Sequence, residues 1–214
     1  MKRPLPVADA LLQHRDALAA CRRCTLAPDV RPVVSYAREP RVVLVGQAPG
    51  RSEVSNGRPF SGRAGKTLFR WFERAGVSEA TIREHVYIAA VTRCFPGSHP
   101  SGRGDRVPNP TERTACGGWL DAELGIIRPA LLIPVGRLAL DRFFGPRPLD
   151  ALVGREHQVV HEGGTSVAVP LPHPSGASSW VHAAEHRALL DRSLELLSAR
   201  FAALGIADPL RSAA

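Results

Sequence analysis

The 214-residue sequence lacks any apolar run approaching the ~18–20 residues that a membrane-spanning helix needs. Its first residues, MKRPLPVADALLQHRD, also lack the apolar core of a secretory signal peptide. We therefore expect a soluble, cytoplasmic protein with no membrane partner. The length suits one domain over residues 1–214, with 205–214 as a flexible tail.

Lysine is nearly absent, since Lys2 and Lys66 are the only two. The net charge is nonetheless +8, because 28 Lys and Arg residues stand against 20 Asp and Glu residues and almost all of the cations are arginines. The planar arginine head group suits phosphate, so a basic chain of this kind favours a nucleic-acid partner. A GC-rich genome, which encodes arginine in place of lysine, explains the composition equally well.

Cysteine is scarce as well, and the four are Cys21, Cys24, Cys94 and Cys116. Without an export signal they are not expected to form disulfides. A C-x-x-C pair followed by two later cysteines supplies four thiolates, which both zinc and a [4Fe–4S] cluster accept. The wide gap between the last two is unlike a zinc ribbon. Buried thiols without a metal are the remaining alternative.

One stretch, residues 41–67, has the composition of a ligand pocket. The apolar run 42–46 predicts a buried strand, which ends abruptly in a loop with glycine and proline at 47–50. Ligands bind at the carboxyl ends of strands in open α/β sheets. The later Gly-Lys-Thr at 65–67 is not a phosphate-binding P-loop, because Phe60 stands where that motif needs a glycine.

Predicted helices and strands alternate along the chain. Helices are predicted at about 8–20, 64–75, 81–84, 110–128, 136–144 and 182–204, and strands at about 42–46, 85–91, 130–135 and 166–171. This alternation favours an α/β fold in which a mainly parallel four-stranded sheet is covered by helices on both faces.

The segment after Cys94, residues 95–110, is a long loop rich in proline, glycine, serine and arginine. Loops of this length inside a compact domain are usually functional or disordered. Arg93, Arg103 and Arg106 are predicted to contact phosphates from here. A solvated flexible loop is the alternative.

A late strand leads into the polar loop His173-Pro174-Ser175. With G-x-A-P-G at 46–50, G-R-P-F-x-G-x-A-G-K at 57–66 and a strand that ends in a cysteine, the sequence resembles the uracil-DNA glycosylase superfamily, in its iron–sulfur, family 4-like branch. The resemblance covers about residues 20–200. It implies a three-layer αβα sandwich and a base excision repair enzyme that flips uracil out of DNA, hydrolyses its N-glycosidic bond and leaves an abasic site.

The resemblance also implies roles for individual residues. His173 would donate a hydrogen bond to uracil O2 as negative charge develops there, and Phe60 would stack on the flipped base. The four cysteines would hold a [4Fe–4S] cluster that ties the N-terminal helix and connector, residues 1–35, to the arginine-rich loop. The other residues predicted to contact the substrate are Gly46, Ala48, Pro49, Gly50, Asn56 and Ser175.

The segment after the H-P-S loop would enter the DNA minor groove. Ser178 and Trp180 are its predicted DNA contacts, with Val181 as another candidate wedge. Packing of Trp180 under the C-terminal helix is the alternative.

The sequence departs from its relatives at three positions. Ala48 replaces an aspartate that orients the attacking water, Gln47 replaces a glutamate, and Ala90 replaces an asparagine that reads the uracil edge. Gln47 and Glu53 are therefore the candidates to hold or activate the water. The reader of the uracil edge stays open among the backbone amides of the first loop, Asn56, Asn109 and His99.

These departures leave two alternatives to a uracil-DNA glycosylase. One is a DNA-binding member of the fold with weakened catalysis, and the other is a glycosylase for another deaminated base, hypoxanthine or xanthine. Neither Lys2 nor Lys66 is predicted in a pocket floor, so Schiff-base chemistry with strand cleavage is not expected. The expected partner is uracil-containing DNA, single- or double-stranded, bound by a monomer.

Overall fold

The computed structural model describes residues 5–24, 26, 30–102, 104–175 and 180–208. Helices and strands alternate within these residues, and none of the helices there is long and apolar enough to cross a membrane. The elements are α1 (Val7–Ala19), β1 (Val42–Gly46), α2 (Arg51–Asn56), α3 (Arg63–Arg74), α4 (Glu79–His85), β2 (Val86–Ala90), α5 (Pro110–Ile127), β3 (Leu131–Pro134), α6 (Arg137–Phe144), β4 (His157–His161), β5 (Gly164–Ala168) and α7 (Ala184–Ala203).

The strands form one sheet in the order β2-β1-β3-β5-β4. Strands β2, β1, β3 and β5 run parallel, with Val43 of β1 beside Tyr87 of β2 and Leu132 of β3. The predicted count of four strands is wrong, because β4 adds an edge strand that pairs antiparallel with β5. The sequence of β4, HQVVH, conceals this strand, since it is short and Val159 is its one buried side chain.

Side chains of β1 alternate between two cores. Val42 and Leu44 pack with α3, α4 and α7, whereas Val43 and Val45 pack with α1, α5 and α6. The pleat of a strand that is buried on both faces produces this alternation. Helices therefore cover both faces of the sheet, and the fold is the three-layer αβα sandwich that the resemblance implies.

Helix α5 starts at a capping box. The Asn109 side chain accepts from the Glu112 backbone N–H at 2.9 Å, and the Glu112 carboxylate accepts from the Asn109 N–H at 2.9 Å. Pro110 occupies the first position, where a helix has no use for its missing N–H. Cys116 consequently lies in the second turn, where it is buried.

The C-terminal segment is anchored as far as residue 208. Ile206 is buried, and the Asp208 carboxylate accepts hydrogen bonds from the Ser78 and Thr81 hydroxyls at 2.7 and 2.6 Å. Residues of the predicted tail up to 208 thus contact the domain, and residues 209–214 lie outside the described residues.

Strand β1 lies between two parallel neighbours, and the chain visits them on opposite sides. It pairs first with β2 and later, across its other edge, with β3. The carboxyl ends of β1 and β3 thus border the crevice in which open α/β sheets bind ligands. Both predicted loops reach this edge, because 47–50 follows β1 directly and the H-P-S loop follows Leu171, which pairs with Val135 just after β3.

Candidate functional site

The first loop is held by the strand exit beside it. The Val91 N–H donates to the Gly46 carbonyl at 3.0 Å, and the Thr92 N–H donates to the Gln47 carbonyl at 3.2 Å. These bonds extend the pairing of β1 with β2 beyond the ends of the strands. The loop therefore leaves the sheet in a fixed direction, with the Gln47 side chain half-buried.

The backbone of Phe60 has a left-handed conformation, φ 51°, which is rare for a bulky residue. Gly65 makes room for its carbonyl, whose oxygen lies 1.8 Å from the point where a Cβ on Gly65 would stand. The Arg83 guanidinium donates to the carbonyls of Pro59 at 3.0 Å and Phe60 at 3.2 Å. Strained residues that their neighbours hold in this way cluster at functional sites.

The Phe60 ring packs over Gly46 and forms one wall of a cavity of about 30 Å³. Most of the lining is apolar, and Glu53 and Arg93 are its two charged residues. The volume is about that of one water molecule, so a nucleobase enters only after Phe60 or its loop moves. The residues predicted for the substrate or the water that line it are Gly46, Ala48, Pro49, Glu53 and Phe60, and Ala90 lies beside them.

Two carboxylates meet beside the first loop. Glu53 accepts from the Gly50 N–H at 3.0 Å and so caps α2, a short helix within a segment predicted as irregular. Asp105 approaches the same glycine, because one oxygen of each carboxylate lies 2.7 Å from the point where a Cβ on Gly50 would stand. Burial raises the pKa of Asp105, and Arg51 partly offsets that rise. The pair places negative charge next to the cavity.

Asp105 reaches this position because the arginine-rich loop folds back as a small hairpin. Ser98 pairs with Asp105, and the Arg106 N–H donates to the Gly97 carbonyl at 3.0 Å. The Arg51 guanidinium donates to the Ser98 hydroxyl at 3.0 Å and ties the hairpin to α2. The loop has no apolar periodicity, so no sequence pattern identifies Asp105 as a site residue.

His173 lies against Gly136, between β3 and α6. Gly136 has φ 83°, and a Cβ there would stand 2.8 Å from the imidazole Cδ2, so glycine is required. The Ser175 N–H donates to His173 Nδ1 at 3.2 Å, and the Ser175 hydroxyl lies 2.9 Å from the same nitrogen. Since Nδ1 accepts, the neutral ring carries its proton on Nε2. Burial lowers the pKa of His173 and favours this neutral form.

The four cysteines are free thiols, and Cys94 interacts electrostatically with the other three. Burial, and then the nearby Cys116, Cys24 and Cys21, raise the pKa of Cys94 to about 12. The Trp119 indole donates to Cys21 Sγ at 3.2 Å, and the Arg93 backbone N–H donates to Cys116 Sγ at 3.3 Å. Such donors stabilise thiolates, which suits a four-thiolate group. Within the described residues, no group of three or more His, Cys, Asp or Glu side chains is arranged to hold a metal ion.

The arginines predicted to contact phosphates are engaged elsewhere. Arg93 is 2% exposed, and its guanidinium forms a salt bridge with the buried Glu123. Because a buried, paired guanidinium is not available to a phosphate at the surface, that prediction is wrong for Arg93. Arg106 binds the Glu112 carboxylate and so ties the hairpin to α5. Arg103 lies outside the described residues.

Trp180 stacks on His186 of α7, with ring centroids 4.2 Å apart and an angle of 5° between the rings. The Trp180 carbonyl also lies 2.8 Å from His186 Nδ1. These contacts match the packing alternative, because one face of the indole is covered and the residue is not a free wedge. Ser178 lies outside the described residues.

The polar side chains predicted as readers of the base lie away from the cavity. Asn56 is exposed and donates to the Ser61 hydroxyl at 3.1 Å. Asn109 caps α5, and His99 is exposed in the hairpin, where its ring binds the Ser101 hydroxyl. Of the three, none lines the cavity, and the assignment of Asn56 to the substrate stays a prediction.

Fold and site together define a three-layer α/β protein with a small cavity at the carboxyl edge of its sheet. Residues 34–198 match the family model of the uracil DNA glycosylase superfamily. The chain therefore belongs to this superfamily, in the branch of the Type-4 enzymes.

Curated relatives agree with this placement. The chain is 36% identical over 135 residues to the Type-4 uracil-DNA glycosylase of Thermotoga maritima, a match that covers 63% of this chain and 65% of that protein. It is 31% identical over 165 residues to the Type-4 uracil-DNA glycosylase of Archaeoglobus fulgidus, with 74% and 78% covered. A Type-5 uracil-DNA glycosylase of Thermus thermophilus is 34% identical over 123 residues, with 52% and 53% covered. The chain thus spans just under two thirds of the Thermotoga protein.

Proposed function

We propose that this protein is a monofunctional uracil-DNA glycosylase that flips uracil out of DNA, hydrolyses its N-glycosidic bond and leaves an abasic site for base excision repair. The observation that carries the proposal is the half-buried His173, fixed by Ser175 with its proton on Nε2, in a loop that reaches the same carboxyl edge of the sheet as the loop that follows β1. The family and the names of the relatives support it.

His173 would stabilise the leaving base. As the bond breaks, negative charge develops on uracil O2, and one preorganised donor at such a position contributes about 10²–10³ in rate. Nδ1 already accepts from Ser175, and the Nε2–H has no hydrogen-bond partner among the described residues. Phe60 would stack on the uracil ring once the entering base displaces its side chain from Gly46.

The attacking water needs a group that orients it on the sugar side of the bond. Ala48 has no polar side chain, and Gln47 does not line the cavity. Glu53 is tied to the Gly50 N–H as a helix cap. Asp105 does not line the cavity either, but its carboxylate approaches Gly50 beside Glu53, and burial raises its pKa. We therefore assign the water to Asp105, with Glu53 beside it.

DNA phosphates would meet exposed arginines around the first loop. Arg51 begins α2, Arg58 precedes the Phe60 turn and Arg63 begins α3, and all three are exposed. Lys66 is exposed on α3 and offers no buried amine for a Schiff base. We expect a cytoplasmic monomer that hydrolyses the bond without cutting the strand, on single- or double-stranded DNA.

We assign the four cysteines to a [4Fe–4S] cluster. The electrostatic interactions among the four thiols and the N–H donors to Cys21 and Cys116 support this assignment, although the described side chains are not arranged around a metal ion. When bound, the cluster supplies a structural link between the segment after α1, the loop after β2 and helix α5. Brown protein with broad visible absorption is the expected result. Colourless protein that contains stoichiometric zinc would contradict the assignment.

Oligonucleotides with a single uracil, hypoxanthine or xanthine test the proposed activity. Purified protein is incubated with each, and alkali then cleaves the strand at every abasic site. Strand breaks with uracil alone are expected. Breaks only with another base would mean a different substrate, and binding in a shift assay without any breaks would mean a DNA-binding protein that has lost catalysis.

A further inference from the structure

The chain turns back after α7 and reaches α4. Gly205 has φ 71°, and the Ile206 N–H donates to the Phe201 carbonyl at 2.9 Å, which is the pairing of a Schellman motif at the end of a helix. Ile206 is buried in the same core as Ile82 of α4. This turn brings the next charged residue, Asp208, to the start of α4.

The Asp208 carboxylate accepts hydrogen bonds from three donors at the start of α4. The Ser78 N–H lies 3.1 and 3.0 Å from its two oxygens, and the hydroxyls of Ser78 and Thr81 donate to it at 2.7 and 2.6 Å. Ser78 is the N-cap of the helix, and its hydroxyl oxygen accepts from the Thr81 N–H at 3.3 Å. A negative charge is also favourable beside a helix N-terminus. Asp208 therefore reinforces this cap from a position 130 residues later in the sequence.

Helix α4 has seven residues, and a helix of that length is unstable on its own. Its side chains keep their positions only while the cap and the core hold the helix. Glu79 in the first turn binds Arg83, four residues later, at 2.6 Å. On its other side, the Arg83 guanidinium donates to the carbonyls of Pro59 at 3.0 Å and Phe60 at 3.2 Å. The position of the Phe60 backbone thus depends on α4.

We propose that Asp208 is a positioning residue for the base pocket, because it caps α4 and α4 holds Phe60 through Arg83. This inference rests on the glycosylase activity proposed above, in which Phe60 stacks on the flipped base. A bulky residue rarely adopts φ 51°, so Phe60 keeps this conformation only while its neighbours hold it. Asp208 does not line the cavity and acts on it from the far end of α4.

Hydrogen exchange measured by mass spectrometry tests this link without catalysis. Asp208→Ala removes the carboxylate, and Asp191→Ala is the matched control, because Asp191 binds Arg74 of α3. We expect Asp208→Ala to speed exchange about 3- to 10-fold in residues 78–85 and 57–66, the effect of a weakened helix cap, and to leave β1 and β3 unchanged. Asp191→Ala should leave both segments unchanged. Faster exchange in 78–85 alone, equal acceleration throughout the protein, or no acceleration would overturn the proposal.

Single-turnover uracil excision shows whether Asp208 acts through Arg83. Asp208→Ala should slow excision about 3- to 10-fold, whereas Asp191→Ala should stay within about twofold of the wild type. Arg83→Met already breaks the link, so adding Asp208→Ala to it should slow excision by less than a further factor of about two. Losses that multiply in the double variant, or wild-type excision by Asp208→Ala, would contradict the proposal. A wild-type protein that excises no uracil would instead refute the proposed activity, and hydrogen exchange would still decide the role of Asp208.

Discussion

Replacing Arg83 with methionine removes the clamp on Phe60 while most of the side-chain volume remains. Arg83 has 11% of its side chain exposed and donates to the carbonyls of Pro59 and Phe60. It also binds Glu79 at 2.6 Å and lies 4.4 Å above the centre of the Phe69 ring. The variant therefore loses the bonds that hold Phe60 in its left-handed conformation.

The hydrogen bonds from Arg83 to the two carbonyls account for most of the expected loss in the free energy of unfolding. Hydrogen bonds to charged groups contribute about 1.5–3 kcal/mol each. The pair with Glu79, four residues away on the same helix, adds about 0.5 kcal/mol or less. Because Pro59 and Phe60 are only half-buried, water can reach the freed carbonyls, and we expect a loss of about 2–4 kcal/mol in the free energy of unfolding.

Urea unfolding measures this loss, with Arg74→Met as the control. Arg74 pairs with Asp191 at the surface, where both side chains are about half exposed, and its removal should cost less than about 1 kcal/mol. Uracil excision by folded Arg83→Met should also fall, because Phe60 is no longer held against the cavity. A variant as stable as Arg74→Met and fully active would refute the role of the clamp.

Four other residues lead to measurable predictions. Burial, and then Arg93, lower the pKa of His14 from 6.5 to about 4, so between these pH values the unfolded chain binds a proton that the folded chain does not. The free energy of unfolding should therefore fall as the pH drops from 6.5 towards 4. Urea midpoints that stay constant over this range would contradict a buried neutral imidazole. His173→Ala should slow single-turnover uracil excision about 10²–10³-fold with little change in the urea midpoint, and wild-type rates would mean that the donor lies elsewhere. Gly65→Ala should cost about 2 kcal/mol or more in unfolding experiments, since its Cβ would stand 1.8 Å from a carbonyl oxygen, and a neutral result would contradict that contact. Asp105→Asn should slow excision about 10²-fold at equal DNA affinity, and an unchanged rate would remove Asp105 from the water step.

The three central strands could be predicted because their signal is local. β1, β2 and β3 are continuous apolar runs, as expected of strands buried on both faces. β4 could not be predicted in this way, because a mostly exposed strand is defined by its hairpin pairing with β5. Helix α2 has six residues with none buried, and its cap depends on one side chain, Glu53.

The same contrast between local patterns and long-range pairings applies to the residues of the candidate site. Phe60 and His173 could be named from short loop motifs, and their chemical roles remain predictions. Arg93 could not be placed, because the partner that keeps it buried, Glu123, is 30 residues away in sequence. Asp105 reaches Gly50 only after the arginine-rich loop has folded into its hairpin. Pairings between distant polar residues leave no periodic pattern in the sequence.

Release of free uracil is the most direct measure of the proposed activity. A duplex oligonucleotide with one uracil is incubated with excess protein, and the free base and the abasic sites are quantified over time by chromatography. We predict that the wild type releases uracil in equal amount to the abasic sites it forms, and that His173→Ala does so far more slowly. DNA that is bound without any release of uracil, or that loses uracil equally fast with His173→Ala, would contradict this mechanism.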